Sequence, residues 1–409
     1  MISSTPRPRG RLPRKPSLRT AATLTVSLAL IGGAAAIAPH LTAHNATQHI
    51  QRVDSATTLG TPPQWVRCAN MARGQWHLNR TAQCLVQSGH LNVYREVVPA
   101  PGEPPAPPEL LGTIAFTSYQ QFSLQPGLTS WTESFAVSAD SVSGSIPSTL
   151  SVDATSTCSA PCVQLQAHAW GGYHTISVGQ TVEGNFWSQD NPAAGMSDSL
   201  KVDYKLDFQS PDPGSPGNVL TASTSWAGPT DPSQPNTQIR CDRVITGANS
   251  CIVWAFVPTL VVTQLDPTQG ASAAMINWAQ QNLQIPWGTA AHPLTRLSDT
   301  VRSDLNRNTI CDNSFVRRGG GDSCDEFPFA STNQSGAMRG FRGTDCYEIT
   351  VQYVNGAYQV TVDHAGNPAA SCVRAHVPTA QNSQVGVDLQ SFLNTNRVLS
   401  GDPYTAISA

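Results

Sequence analysis

Charge is scarce in this chain. Asp, Glu, Lys and Arg make up 12% of its 409 residues, too few for a disordered, solvating polymer or for a bundle of charged amphipathic helices. A Gly-x-Ser-x-Gly elbow is missing, and so is a phosphate-binding Gly-rich loop ending in Lys, so a serine hydrolase or an NTPase has no support. No internal repeat of fixed period is visible. Cys158-Ser-Ala-Pro-Cys162 lacks a second Cys or His pair at zinc-finger spacing, which leaves structural zinc without a ligand set. Beyond the N-terminal run, no segment is long and apolar enough to span a bilayer.

Turn formers and cysteines are abundant. The 31 Gly and 31 Pro favour short strands and tight turns over long helices. A mass of 43.5 kDa exceeds what one hydrophobic core usually organises, so two domains are expected. All ten cysteines lie beyond residue 60, and their even number reads as a disulfide framework formed in an oxidising compartment. Their intervals invite local pairs: Cys68–Cys84, Cys158–Cys162, Cys241–Cys251, Cys311–Cys324 and Cys346–Cys372. Spacing alone leaves the connectivity open.

Residues 1–38 read as a secretory signal peptide. Six basic residues (Arg7, Arg9, Arg11, Arg14, Lys15 and Arg19) precede an uncharged run from Ala21 to Ala38, with Ala34-Ala35-Ala36 as the cleavage region. The competing reading is a retained signal anchor. Cleavage would leave 18 bases against 27 acids and shift the formal net charge from −3 to −9. Such a balance does not advertise a phosphate-binding surface, so any nucleic-acid contact must be local.

Five further features set the expected organisation. Residues 39–60 read as a disordered lead, and residues 61–98 as a small Cys-bridged unit. A proline-rich spacer follows. Residues 113–262 read as a β-rich, sandwich-like domain, because Val202, Tyr204, Leu206 and Phe208 alternate with Lys201, Asp203, Lys205 and Asp207 to give one buried and one wet face. Residues 265–409 read as α+β. Helical spacing over Ala271–Gln284 and over residues 294–311 (Leu294, Leu297, Val301, Leu305) precedes two strands joined by Asn355-Gly356, and a last helix near the C-terminus.

Chemistry concentrates near residue 325. Asp325 and Glu326 are adjacent carboxylates behind Cys324, leading into an apolar stretch, Phe327-Pro328-Phe329-Ala330. Composition alone reads them as two acids at a strand entry facing water. If the segment is extended, at most one of them points into a given pocket. The run Cys324–Thr332, with Asn306-Arg307-Asn308 and Cys311 upstream and Pro378 to Gly386 and Arg397 to Asp402 downstream, resembles the secreted NucA/NucB deoxyribonucleases over roughly residues 292–405.

That resemblance implies a ββα-metal nuclease core in which two strands and a helix enclose one divalent cation, Mg²⁺ or Mn²⁺. Carried over by position, Asp325 or Glu326 is the catalytic base and Asn382 the metal ligand. Gln334 stands at a catalytic position where the family carries Glu, and Gln381 stands where an acid precedes the helical Asn. Arg307, Arg339, Arg342 and His376 are the expected substrate contacts. The resemblance implies a secreted, extracellular endonuclease with DNA as substrate and no membrane attachment beyond export. The alternative is a secreted polymer- or surface-binding β protein with a degenerate nuclease-like module. Oligomeric state, and preference between DNA and RNA, are not readable from the sequence.

Overall fold

Alternation of apolar and polar side chains is the pattern that builds the N-terminal half. The computed structural model describes residues 48–55, 62–96, 99, 102–213, 217–245 and 248–409, so the expected signal peptide lies outside the described residues. In chain order the first fourteen strands are β1 (Gln48–Ser55), β2 (His77–Leu78), β3 (Ala82–Glu96), β4 (Glu109–Ser123), β5 (Ser130–Gly144), β6 (Thr149–Cys158), β7 (Val163–Gln166), β8 (His174–Ser177), β9 (Thr181–Gln189), β10 (Ser197–Leu200), β11 (Val202–Pro211), β12 (Val219–Ala227), β13 (Ile239–Asp242) and β14 (Ser250–Val253). One sheet runs β1-β3-β4-β5-β9-β7 with β2 on β3, and a second runs β12-β11-β6-β8. Val202, Tyr204, Leu206 and Phe208 are buried, as their spacing predicts, and they meet Phe116, Phe135 and Phe186 of the first sheet in one core. Phe116 and Phe208 bring their ring centroids to 4.8 Å across that interface.

Two expectations fail here. Gln48–Ser55, expected within a disordered lead, is strand β1 and pairs antiparallel with β3. Likewise the stretch expected as a separate unit over 61–98 contributes β2 and β3 to the large sheet, where β3 pairs with β4 from Ala82 to Arg95. The backbone of a long strand such as β3 needs partners on both sides, and β1 and β4 supply them. All five expected disulfides are formed, each between cysteines consecutive in the chain. They fit an oxidising, extracellular environment. Among the described residues no helix is long and apolar enough to cross a membrane.

The C-terminal half comprises β15 (Thr259–Val262), α1 (Gly270–Asn282), β16 (Leu294–Thr295), α2 (Thr300–Ile310), β17 (Asp322–Phe327), β18 (Tyr347–Val354), β19 (Ala357–His364), β20 (Val373–Pro378), α3 (Thr379–Thr395) and β21 (Pro403–Ser408). One sheet is ordered β17-β20-β18-β19, and a smaller one β15-β21-β16. The β18–β19 hairpin turns at Asn355-Gly356, both at positive φ (53° and 87°), the conformation this dipeptide favours. β15, expected as the end of the β-rich domain, instead pairs parallel with β21, and Leu260 and Val262 enter the C-terminal core.

The second helix is shorter than expected. Asp299 caps it by accepting from the Arg302 N–H at 2.9 Å, and Leu294 lies in β16. Its expected apolar stripe faces solvent, with Val301 70% and Leu305 56% exposed. The disulfide at Cys311 and burial of Asn306 and Ile310 hold the helix instead.

A buried ionic cluster joins the halves. Arg397 pairs with Asp242 through both carboxylate oxygens, and Arg240 pairs with Asp402. Arg80 donates to the carbonyls of Asn396 (2.7 Å) and Phe256 (2.9 Å). Arg80 and Arg240 thus satisfy carbonyls at the C-terminal end of α3, where positive charge is favoured. Removing one partner of such a pair strands a charge, so Asp242→Ala is expected to cost about 3–5 kcal/mol in denaturant unfolding. Replacing both residues, Asp242→Leu with Arg397→Met, should recover part of that loss.

Candidate active site

Strand alternation decides what Asp325 and Glu326 can do. Ser323, Asp325 and Phe327 occupy one face of β17. Ser272 Oγ of α1 donates to Asp325 Oδ2 at 2.6 Å, Asn382 Nδ2 of α3 donates to Ser323 Oγ at 2.7 Å and to the Cys324 carbonyl at 2.9 Å, and Phe327 packs in the core under both helices. Asp322, Cys324 and Glu326 take the other face: Cys324 bridges to Cys311, and Arg307 Nε of α2 lies 3.5 Å from Glu326 Oε1. The two acids are therefore sent to opposite sides of the sheet. Neither faces water, since each is 6% exposed.

Burial dominates their titration. It lifts the Asp325 carboxyl from 3.8 to about 6 against the Ser272 hydrogen bond. Burial, and secondarily the negative charge of Asp325, lifts Glu326 from 4.5 to about 7, with Arg307 opposing. The bond from Asn382 Nδ2 into β17 fixes the amide, so its carbonyl oxygen is the end left to meet a cation. Among the described residues no cluster of three or more His, Cys, Asp or Glu is arranged to hold a metal.

Most of the other expected contacts are committed elsewhere. Gln334 is tied to β16: its Oε1 accepts from the Thr295 N–H at 2.8 Å, and its Nε2 donates to Thr295 Oγ1 at 3.1 Å. Gln381 caps α1, accepting from the Ala271 N–H at 2.7 Å and donating to Tyr358 Oη at 3.2 Å. Arg339 donates to the carbonyls of Ala370 (2.5 Å) and Ala369 (3.0 Å) and lies over the Trp287 and Phe341 rings. Arg342 is exposed, and Arg307 has an exposed side chain that reaches both Glu326 and Asp304.

His376 is 3% exposed, with Nδ1 2.7 Å from Asp322 Oδ2, Nε2 3.3 Å from Glu348 Oε1, and Phe315 stacked on its ring at 4.0 Å. Neither ring nitrogen is left for a phosphate. Arg374 completes that network through Glu348 at 2.6 Å and Ser314 at 2.8 Å. Its position across from Glu326 follows from the β17–β20 register and had no signal in the sequence.

Residues 289–407 match the family model Deoxyribonuclease NucA/NucB. The C-terminal domain is a NucA/NucB-type deoxyribonuclease domain. No curated protein and no solved structure matches the chain. The match begins after α1, yet Ser272 and Ala271 of that helix contact Asp325 and Gln381. Sequence reasoning missed Ser272 because it lies outside the family motifs. The seat of α1 on the NucA/NucB domain is close: a Cβ on Gly270 would fall 2.2 Å from Tyr358 Cε2, so a larger residue there would have to push the Tyr358 ring aside.

Burying an acid makes its charge costly. For Asp325 the cost is nil below about pH 4, where folded and unfolded chains are both protonated. It grows as pH rises towards about 6 and is full above that. Asp325→Asn keeps an acceptor for Ser272 and removes the charge. The variant is expected to be more stable than wild type at pH 8, by at most on the order of 2–3 kcal/mol, and to lose that advantage at pH 4. Urea unfolding at the two pH values checks this.

Proposed function

We propose that the chain is an exported, metal-dependent endonuclease that hydrolyses phosphodiester bonds of extracellular DNA, with a C-terminal ββα-metal core. The family match gives the reaction class, and one observation carries the assignment of the site: Asp325 and Asn382 act on the same face of β17 although 57 positions separate them in the chain. The Asn382 amide oxygen would hold Mg²⁺ or Mn²⁺, hard ions that keep several waters and take few oxygen ligands from a protein, beside the Asp325 carboxylate. Such an ion, when bound, supplies Lewis-acid stabilisation to the phosphate and the leaving oxygen.

The remaining work falls to side chains of the chain. Asp325, with a carboxyl raised to about 6, is basic enough to take a proton from water near neutral pH. Ser272 orients that carboxylate through its hydroxyl. On the opposite face Arg307 balances Glu326, so Glu326 serves the fold more than the reaction. Arg307 keeps a planar fork and an exposed side chain suited to a phosphate, on the face of β17 opposite Asp325. Because Ser272 covers Asp325, substrate access requires the first turn of α1 to yield.

A second reading has its own support. Gln334 and Gln381 are neutral where relatives carry acids, and both amides are engaged in packing. That favours a polymer-binding protein whose nuclease module has decayed. A plasmid-nicking assay separates the two. Fully oxidised protein should nick DNA with Mg²⁺ or Mn²⁺ and stop with EDTA, and Asp325→Ala and Asn382→Ala should each lower the rate by about 10²–10⁴-fold. Gln334→Glu should leave the rate unchanged, because position 334 serves Thr295. No metal-dependent cutting by the wild type would overturn the enzyme reading.

A further inference from the structure

The outer face of the large N-terminal sheet has a composition that its fold does not require. Inward-facing Trp131, Glu133 and Phe135 of β5 are buried, so Ser130, Thr132 and Ser134 face outward, as does Trp187 of β9 opposite Thr132. Part of this face is covered by the segment around Val66 and Cys68, which packs on Tyr119 and Ala136. Beside that cover lies a shallow cavity of about 510 Å³, within the size range of small-ligand sites. The Trp187 side chain is 46% exposed there, and Leu128, in the turn between β4 and β5, is 51% exposed.

What surrounds these two apolar groups is wholly neutral. No Asp, Glu, Lys, Arg or His lines the cavity. Ser123, Gln125, Ser130 and Thr132 contribute hydroxyl and amide groups that have no side-chain partner among the described residues. Gln121 accepts from the Arg67 N–H at 2.8 Å through Oε1, which leaves its NH₂ to donate. A half-exposed indole costs solvation on a sheet face that needs no further core, and uncommitted neutral donors and acceptors beside it match a partner that is polar, uncharged and flat on one side.

We infer that this face is a binding site for a neutral pyranose oligosaccharide. The ring of Trp187 stacks on the C–H face of a sugar, and the Ser, Thr and Gln side chains bond its hydroxyls. Single-stranded nucleic acid also stacks on aromatic rings, but a platform for it carries Lys or Arg along the backbone track, and this cavity has neither. The neutral lining likewise disfavours acidic polysaccharides. This inference is independent of whether the C-terminal domain cuts DNA.

The test uses the full, oxidised chain titrated with cellohexaose, maltohexaose and chitohexaose, followed by calorimetry and tryptophan fluorescence. At least one sugar should bind with Kd of about 10⁻⁵–10⁻³ M, with little change on adding salt. Trp187→Ala should weaken that binding at least about tenfold, while Trp187→Phe keeps most of it. Ser130→Glu, a surface change on the same wall, should also lose binding and guards against misfolding of the alanine variant. Metal-dependent DNA cleavage should be the same in all three variants. No binding of any of the three sugars, sugar binding indifferent to Trp187→Ala and Ser130→Glu, or tighter and salt-sensitive binding of hexathymidylate that depends on Trp187, would each overturn the proposal.

Discussion

Helix α3 is held at both ends, and the candidate site depends on it. At its C-terminal end, the guanidinium groups of Arg80, in the bend before β3, and of Arg240 in β13 take up carbonyls that no helical partner can satisfy. Asp242 and Asp402 neutralise Arg397 and Arg240. Burial, and then the neighbouring Arg240, lowers Arg80 to about 9, with Asp402 and Asp242 opposing. At the other end Asn382 reaches into β17. A shift of α3 along its axis would break the cluster and move Asn382 away from Asp325 together, so the sandwich helps to set the geometry of a domain that the family match confines to residues 289–407.

The site is built under a constraint common to buried acids. Sending Asp325 and Glu326 to opposite faces avoids placing two ionised carboxylates in one pocket, but each then pays for its own desolvation. Glu326 gets Arg307. Asp325 gets the Ser272 hydroxyl and the Glu326 backbone N–H, with a weaker pull from the charge of Arg307. These contacts do not offset the loss of water around a charge, and the raised Asp325 carboxyl follows from that imbalance. Groups kept in this condition are common where a cation or a proton is to be received.

Much of the fold was legible because it rests on local rules. The alternation over residues 202–208, the hairpin at Asn355-Gly356, the α1 periodicity and the pairing of neighbouring cysteines are all read within short windows. The misreadings share one cause, which is that they depend on partners far away in the chain. Gln48–Ser55 is polar enough to look unstructured, and it becomes a strand because β3 offers it an edge. Leu294 and Leu297 mimic a helical stripe with Val301 and Leu305, while β21 draws Leu294 into a sheet. The motif located Asp325 and Asn382, but not Ser272, which meets Asp325 across 53 positions.

The disulfides have a consequence for how the chain matures. Every cysteine is bonded to its immediate neighbour in sequence, across separations of 4 to 26 residues. Thiols oxidised in the order in which they enter an oxidising compartment would therefore meet their proper mates at once. No bridge needs to be opened and exchanged for another, and no bridge must wait for a thiol from the far half of the molecule. Covalent closure is thus a record of local order, and assembly of the two halves is left to the arginines and aspartates between them.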